Sequence, residues 1–147
     1  MIDLATGDIV LDGGSPNATT IGASLSRSAF LASALVQGAQ SSGVASEWPL
    51  YYVGQHRVFG DPCGVTLAFH GEALEHVALM PQVDSYDFDD ALKAKLDAWL
   101  AAKLGPLPSY PNAPLGHPVG YAYPWGSIGS YYQPQDMTCL INVSYKR

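Results

Sequence analysis

The sequence predicts an α+β fold: an antiparallel β-sheet, a meander plus a C-terminal hairpin, with two helices packed on one face. Three observations predict it. Runs of β-branched and aromatic residues follow one another from Trp48 to Met80 with gaps only as long as turns. One stretch, Leu92 to Leu104, repeats its apolar residues at helical period. The strand–helix–strand–helix alternation that builds parallel sheets is missing.

In chain order, Ile2 to Leu11 holds two short apolar runs around Thr6-Gly7-Asp8, which predicts a small hairpin or extended edge ended by Asp12 to Asn17. Ser26 is placed to N-cap a first helix over about 26 to 37. Leu25 and Phe30 fit a hydrophobic staple, and Leu31, Ala34 and Leu35 continue the face. Gly38 and Gln40-Ser41-Ser42-Gly43 stop this helix. Strands are then predicted at Leu50–Val53, Arg57–Phe59, Val65–Phe69 and Leu74–Met80, with turns at Gly60-Asp61-Pro62 and His70-Gly71-Glu72.

The second helix opens among Asp87, Asp89 and Asp90, where negative charge suits a helix N-terminus. Leu92, Leu96, Trp99, Leu100 and Leu104 form its apolar stripe, and Gly105-Pro106 ends it. Pro108, Pro111, Pro114 and Pro118 make the following stretch a stiff surface loop. Tyr121 to Tyr132 and Thr138 to Tyr145, joined by Gln133-Pro134-Gln135-Asp136, read as a closing two-strand hairpin. Residues 1–147 are read as a single domain, long enough to bury a core without staples.

Charge narrows the function. Thirteen Asp and Glu against seven Lys and Arg leave a net charge of −6, which opposes binding to a phosphate backbone, so nucleic acid is not an expected partner. No run approaches a membrane-spanning length. The N-terminus, Met1-Ile2-Asp3-Leu4, lacks a basic start and a long apolar stretch, and a cytoplasmic location is expected.

No catalytic, cofactor-binding or metal-binding residue is predicted. The cluster Asp84, Asp87, Asp89 and Asp90 lacks the ligand spacing, central glycine and distal glutamate of a calcium loop. His56, His70, His76 and His117 show no metal-ligand spacing; His70 and His76 flank a turn, but a site there needs a third ligand such as Glu72 or Glu75. Gly126-Ser127-Ile128-Gly129-Ser130 is not a nucleophile elbow. Cys63 and Cys139 read as buried thiols, although Cys63 in its Asp-Pro-Cys-Gly turn would have His56 or His70 within reach if it reacted.

The aromatic content is more unusual. Tyr121, Tyr123, Trp125, Tyr131 and Tyr132 fall within 12 residues, mostly on strands whose alternate positions face opposite ways. Some of these rings belong outside the core and form a candidate partner-binding surface, to which Asp84 and Asp87 add charge. The plainer reading is core packing and cross-strand pairing.

Several stretches together resemble a group of small bacterial proteins, some of which look like immunity proteins that accompany secreted or contact-delivered toxins. They are Ile2 to Leu11, Phe30-Leu31-Ala32-Ser33, Leu67-Ala68-Phe69 with Leu74-Glu75-His76-Val77, Trp99 to Gly105, and Tyr123 to Ile128 running on to Ile141–Tyr145. The resemblance spans most of the chain and rests on structural motifs. It implies a non-catalytic binding protein whose partner is a cognate toxin, reached quickly by an acidic face if the toxin is basic. Two other readings stay open: a small hydrolase or transferase with a pocket between sheet and helices, using a histidine with Cys63 or a carboxylate, and a homodimer or other homo-oligomer seamed by the aromatic strand.

Overall fold

A computed structural model describes residues 1–82, 90–106, 119–133 and 138–146. The elements are β1 (Ile9–Leu11), β2 (Thr19–Ile21), α1 (Arg27–Leu31), β3 (Gln40–Ser42), β4 (Leu50–Val58), β5 (Asp61–His70), β6 (Ala73–Pro81), α2 (Asp90–Leu104), β7 (Val119–Tyr123), β8 (Gly126–Gln133) and β9 (Thr138–Tyr145). Seven strands form one antiparallel sheet in the order β3-β4-β5-β6-β9-β8-β7, and β1 pairs with β2 separately. The predicted class and the placement of both helices on one face hold.

Alternation makes that face the core. Cys63, Val65, Leu67 and Phe69 of β5, Leu74, Val77 and Leu79 of β6, and Cys139, Ile141, Val143 and Tyr145 of β9 are all buried. Leu96 and Leu100 bring α2 down over β8 and β9. Phe30 brings α1 against Tyr51 and Phe69, with ring centroids 4.8 and 5.7 Å away. Ile2, Ile9, Leu11 and Ile21 of the N-terminal segment complete the layer. At the far end of α2, Asp61 accepts from Trp99 Nε1 and Lys103 Nζ, each at 2.9 Å.

Several elements differ from expectation. Ile2 bridges Ile9, but β1 takes Thr19–Ile21 as its strand partner, so Asp12 to Asn17 is a hairpin loop, turned by positive φ at Asp12 and Gly14. With two threonines before the buried Ile21, this partner strand is too short to show an apolar alternation. Ser26 caps α1 as predicted, accepting from the Ala29 N–H at 3.0 Å. The helix stops at Leu31, and a 3-10 turn covers Ala34–Val36. Ser33 donates to the Phe30 carbonyl at 2.6 Å, a local bond that competes with helix continuation. Gln40–Ser42, read as a helix stop, is an edge strand.

Leu50–Val53 and Arg57–Phe59 are one strand, since a bulge with Gly54 at φ +89° lets pairing with β5 resume at Gln55. Tyr121 to Tyr132 is instead two strands, because Pro124 has no N–H to pair and the chain reverses at Pro124-Trp125. Pairing of β9 with β6 joins these three C-terminal strands to the meander. Asp84, Asp87 and the proline stretch of 108–118 lie outside the described residues.

Candidate functional site

The second face of the sheet has no described element over it. In most antiparallel sheets such a face alternates to polar and charged side chains. Here its positions are small: Thr66 and Ala68 on β5, Ala78 on β6, Gly120 and Ala122 on β7, Gly129 on β8. They floor a recess of about 700 Å³. Leu50, Met80, Tyr131 and Leu140 stand at its margin, with Leu50 42% and Met80 47% exposed. A largely apolar open surface of this kind is a candidate binding site.

Register brings a polar cluster into the recess. His76 is the cross-strand partner of Ser144, and Ala78 of Asn142, so the three polar side chains share this face. Asn142 Nδ2 donates to Ser144 Oγ at 3.0 Å, and Ser144 Oγ lies 3.0 Å from His76 Nδ1. A second bulge lies beside it: Ala68 pairs with His76 and Phe69 with Leu74, which leaves Glu75 as the extra residue of β6. Its carboxylate sits between two imidazoles, 3.9 Å from His76 Nε2 and 3.7 Å from His70 Nδ1. His70 in turn stacks on the exposed Trp48, with centroids 3.9 Å apart, and faces Glu47 at 3.8 Å.

His70 and His76 therefore do come together, with Glu75 between them. Glu72 turns away and accepts from the Ser28 N–H and hydroxyl at 2.9 and 2.8 Å, bonds that hold its carboxyl below the usual range. Among the described residues no group of three His, Cys, Asp or Glu side chains is arranged to hold a metal ion.

The sulfur candidates are placed differently from the recess. Cys63 pairs with His56 across β4 and β5, yet its thiol is fully buried on the core face, and burial with the Asp61 charge pushes it up to about 11. His56 is held elsewhere, with Nδ1 2.7 Å from Asp12 Oδ2 and Nε2 3.1 Å from the Val53 carbonyl. A thiol at that value is protonated at neutral pH and is no nucleophile. The recess also lies on the sheet face opposite the helices, not between sheet and helices.

The five aromatic candidates divide. Tyr131 lines the recess, and Tyr121 borders it while donating its hydroxyl to the Gly105 carbonyl. Tyr123 and Trp125 stack on each other at 5.1 Å, and Trp125 Nε1 donates to the Leu4 carbonyl at 2.9 Å, so this pair braces the N-terminal segment. Tyr132 lies on β8, across from Cys139. The recess-lining residues Ala68, Ala78, His76, Asn142 and Ser144 drew no notice as a binding surface in the sequence. The available signal was small residues at every second position of β5 and β7, read on the face away from the core.

No helix among the described residues is long and apolar enough to cross a membrane. No family model matches the chain, and no curated protein matches it. The fold does have a counterpart among solved structures: a chain of the complex "Rhs1-CT in complex with cognate immunity protein RhsI1", with a TM-score of 0.54 at 16% identity, over 99% of this chain and 86% of that one. The resemblance to immunity proteins that the sequence carries thus has a parallel in three dimensions, a shared fold with a chain from an immunity-protein complex.

Proposed function

We propose that this chain is a cytoplasmic immunity protein of a bacterium, a non-catalytic protein that binds a cognate toxin stoichiometrically and blocks it. The observation that carries the reading is the likeness of fold, over nearly the whole chain, to a chain from a complex that contains a cognate immunity protein. Supporting it are the open apolar recess, which suits a protein contact, and the net charge of −6, which speeds encounter with a basic partner. Steering of this kind acts on association rate more than on affinity.

Co-culture tests the reading. A strain lacking this gene is expected to be inhibited by its unmodified sister strain, and a plasmid copy restores growth. The toxin responsible is expected to co-elute with this chain at a fixed stoichiometry. A deletion strain that grows undisturbed beside its parent contradicts the proposal.

A further inference from the structure

We infer that the open face of the sheet is the docking surface, and that its occupant is a protein segment pairing apolar side chains with a flanking arginine or lysine. The inference rests on the immunity reading for the identity of the partner, and on charge and shape for the surface itself.

Shape gives the apolar half. The floor carries Ala68, Ala78 and Gly129, leaving depth for incoming side chains, and the exposed Leu50 and Met80 stand ready to cover them. A surface patch with a desolvated centre and apolar walls is where binding energy concentrates.

Charge gives the basic half. None of the described Lys or Arg residues lines the recess, and Lys93, Lys95 and Lys103 ride on α2, on the other side of the sheet. Next to His76, where the recess is polar, stands Glu75, bulged out of β6, with Glu47 beyond it across His70. An arginine or lysine beside an apolar anchor would find the Glu75 and Glu47 carboxylates there, with none of the described Lys or Arg side chains lining the recess. An acidic segment would meet Glu75 and Glu47 as like charges, which costs affinity.

The test uses the full chain and three fluorescein-labelled octapeptides, alternating leucine with arginine, leucine with glutamate, and serine with arginine. Only the leucine–arginine peptide is expected to give saturable anisotropy, weakened by salt. Leu50→Lys with Met80→Lys removes two exposed apolar contacts without touching the core, and is expected to weaken that peptide at least about tenfold, as loss of interface anchors does. Leu31→Lys with Val44→Lys adds the same two charges at exposed sites outside the recess and controls for net charge. Glu75→Gln is expected to weaken binding and flatten its salt dependence. Sedimentation of the unmodified chain reports on another occupant: a dimer dispersed by the double variant means that a second copy fills the recess, and overturns the inference.

The same double variant, placed in the co-culture assay, separates the two claims. Loss of protection with retained melting temperature supports the docking surface. Full protection together with unchanged peptide binding overturns it and leaves the immunity reading standing. If the unmodified gene protects nothing while the leucine–arginine peptide still binds, the immunity reading falls alone.

Discussion

The indole of Trp125 lies flat against the α-carbon of Gly7, so close that a Cβ on Gly7 would stand 2.5 Å from Cε3 of the ring. Gly7 also sits at φ +80°, a conformation that side chains disfavour. Gly7→Ala therefore combines backbone strain with a clash and is expected to cost about 2–4 kcal/mol, read from chemical denaturation. A cost near zero would mean that the contact is not held in solution.

Tyr145 closes the same junction from the last strand, donating its hydroxyl to the Gly7 carbonyl at 2.9 Å. Tyr145→Phe keeps the ring and removes the bond, which predicts a loss of about 1–2 kcal/mol. Burial and the neighbouring Asp8 charge hold this phenol above the ordinary tyrosine range. In an ultraviolet titration Tyr145 is expected to ionise only when the protein unfolds, and its removal should leave the early part of the curve unchanged.

Buried Ser130 joins α2 to the sheet. Its Oγ receives Lys93 Nζ at 3.0 Å and donates to Asp97, while Lys93 and Asp97 also pair directly at 3.0 Å. Ser130→Ala strands part of a mostly covered ionic network, with an expected cost of about 1–3 kcal/mol. Recovery of that loss in Ser130→Ala combined with Lys93→Met and Asp97→Leu would confirm the unsatisfied charges as its source.

Cys63 is expected to resist thiol reagents at pH 8, three units below its value of about 11. Modification should follow the unfolding rate. Rapid labelling of the native protein would contradict the placement of this thiol on the core face.

Acid stability turns on paired carboxylates. Desolvation pushes Asp12 upward, but the Arg57 N–H at 2.8 Å and His56 at 2.7 Å outweigh it, so Asp12 lies below its ordinary 3.8. Glu72 lies below 4.5 through its two bonds from Ser28. A carboxylate lowered by folding contributes its stability above the ordinary value and loses it as pH falls through the folded value. The melting temperature is expected to hold level down to about pH 5 and to fall below about pH 4, and Asp12→Asn should shallow that fall. An identical acid limb in the variant would contradict the assignment.

How much of this was legible depends on which face of each strand is read. The core was, because Val65, Leu67 and Phe69, or Ile141, Val143 and Tyr145, are large at every second position and fit one buried face. The cap at Ser26 and the stripe of α2 were legible for the same kind of reason, a fixed period or a fixed offset. Strands of Thr19–Ile21 and Gln40–Ser42 were not, since three polar or mixed residues gain their strand character only from a neighbour's open edge. Tyr123 and Trp125 read as a contact surface in the sequence, yet Trp125 donates to Leu4 and packs on Gly7, more than a hundred residues away, while Tyr123 stacks on Trp125. The recess needs the register of six strands at once, β4 to β9. Thr66, Ala78 and Gly129 are unremarkable singly and become a floor only when pairing sets them in one row, with Asn142 between the last two.

Methyl NMR of the chain, with its cognate toxin added, tests the central claim most directly. Resonances of Leu50, Ala68, Ala78, Met80 and Leu140 are expected to shift or broaden together, while those of Leu31 and Val44, exposed outside the recess, stay in place. Shifts confined to α2 or to the N-terminal segment, with the recess methyls unmoved, would contradict the account.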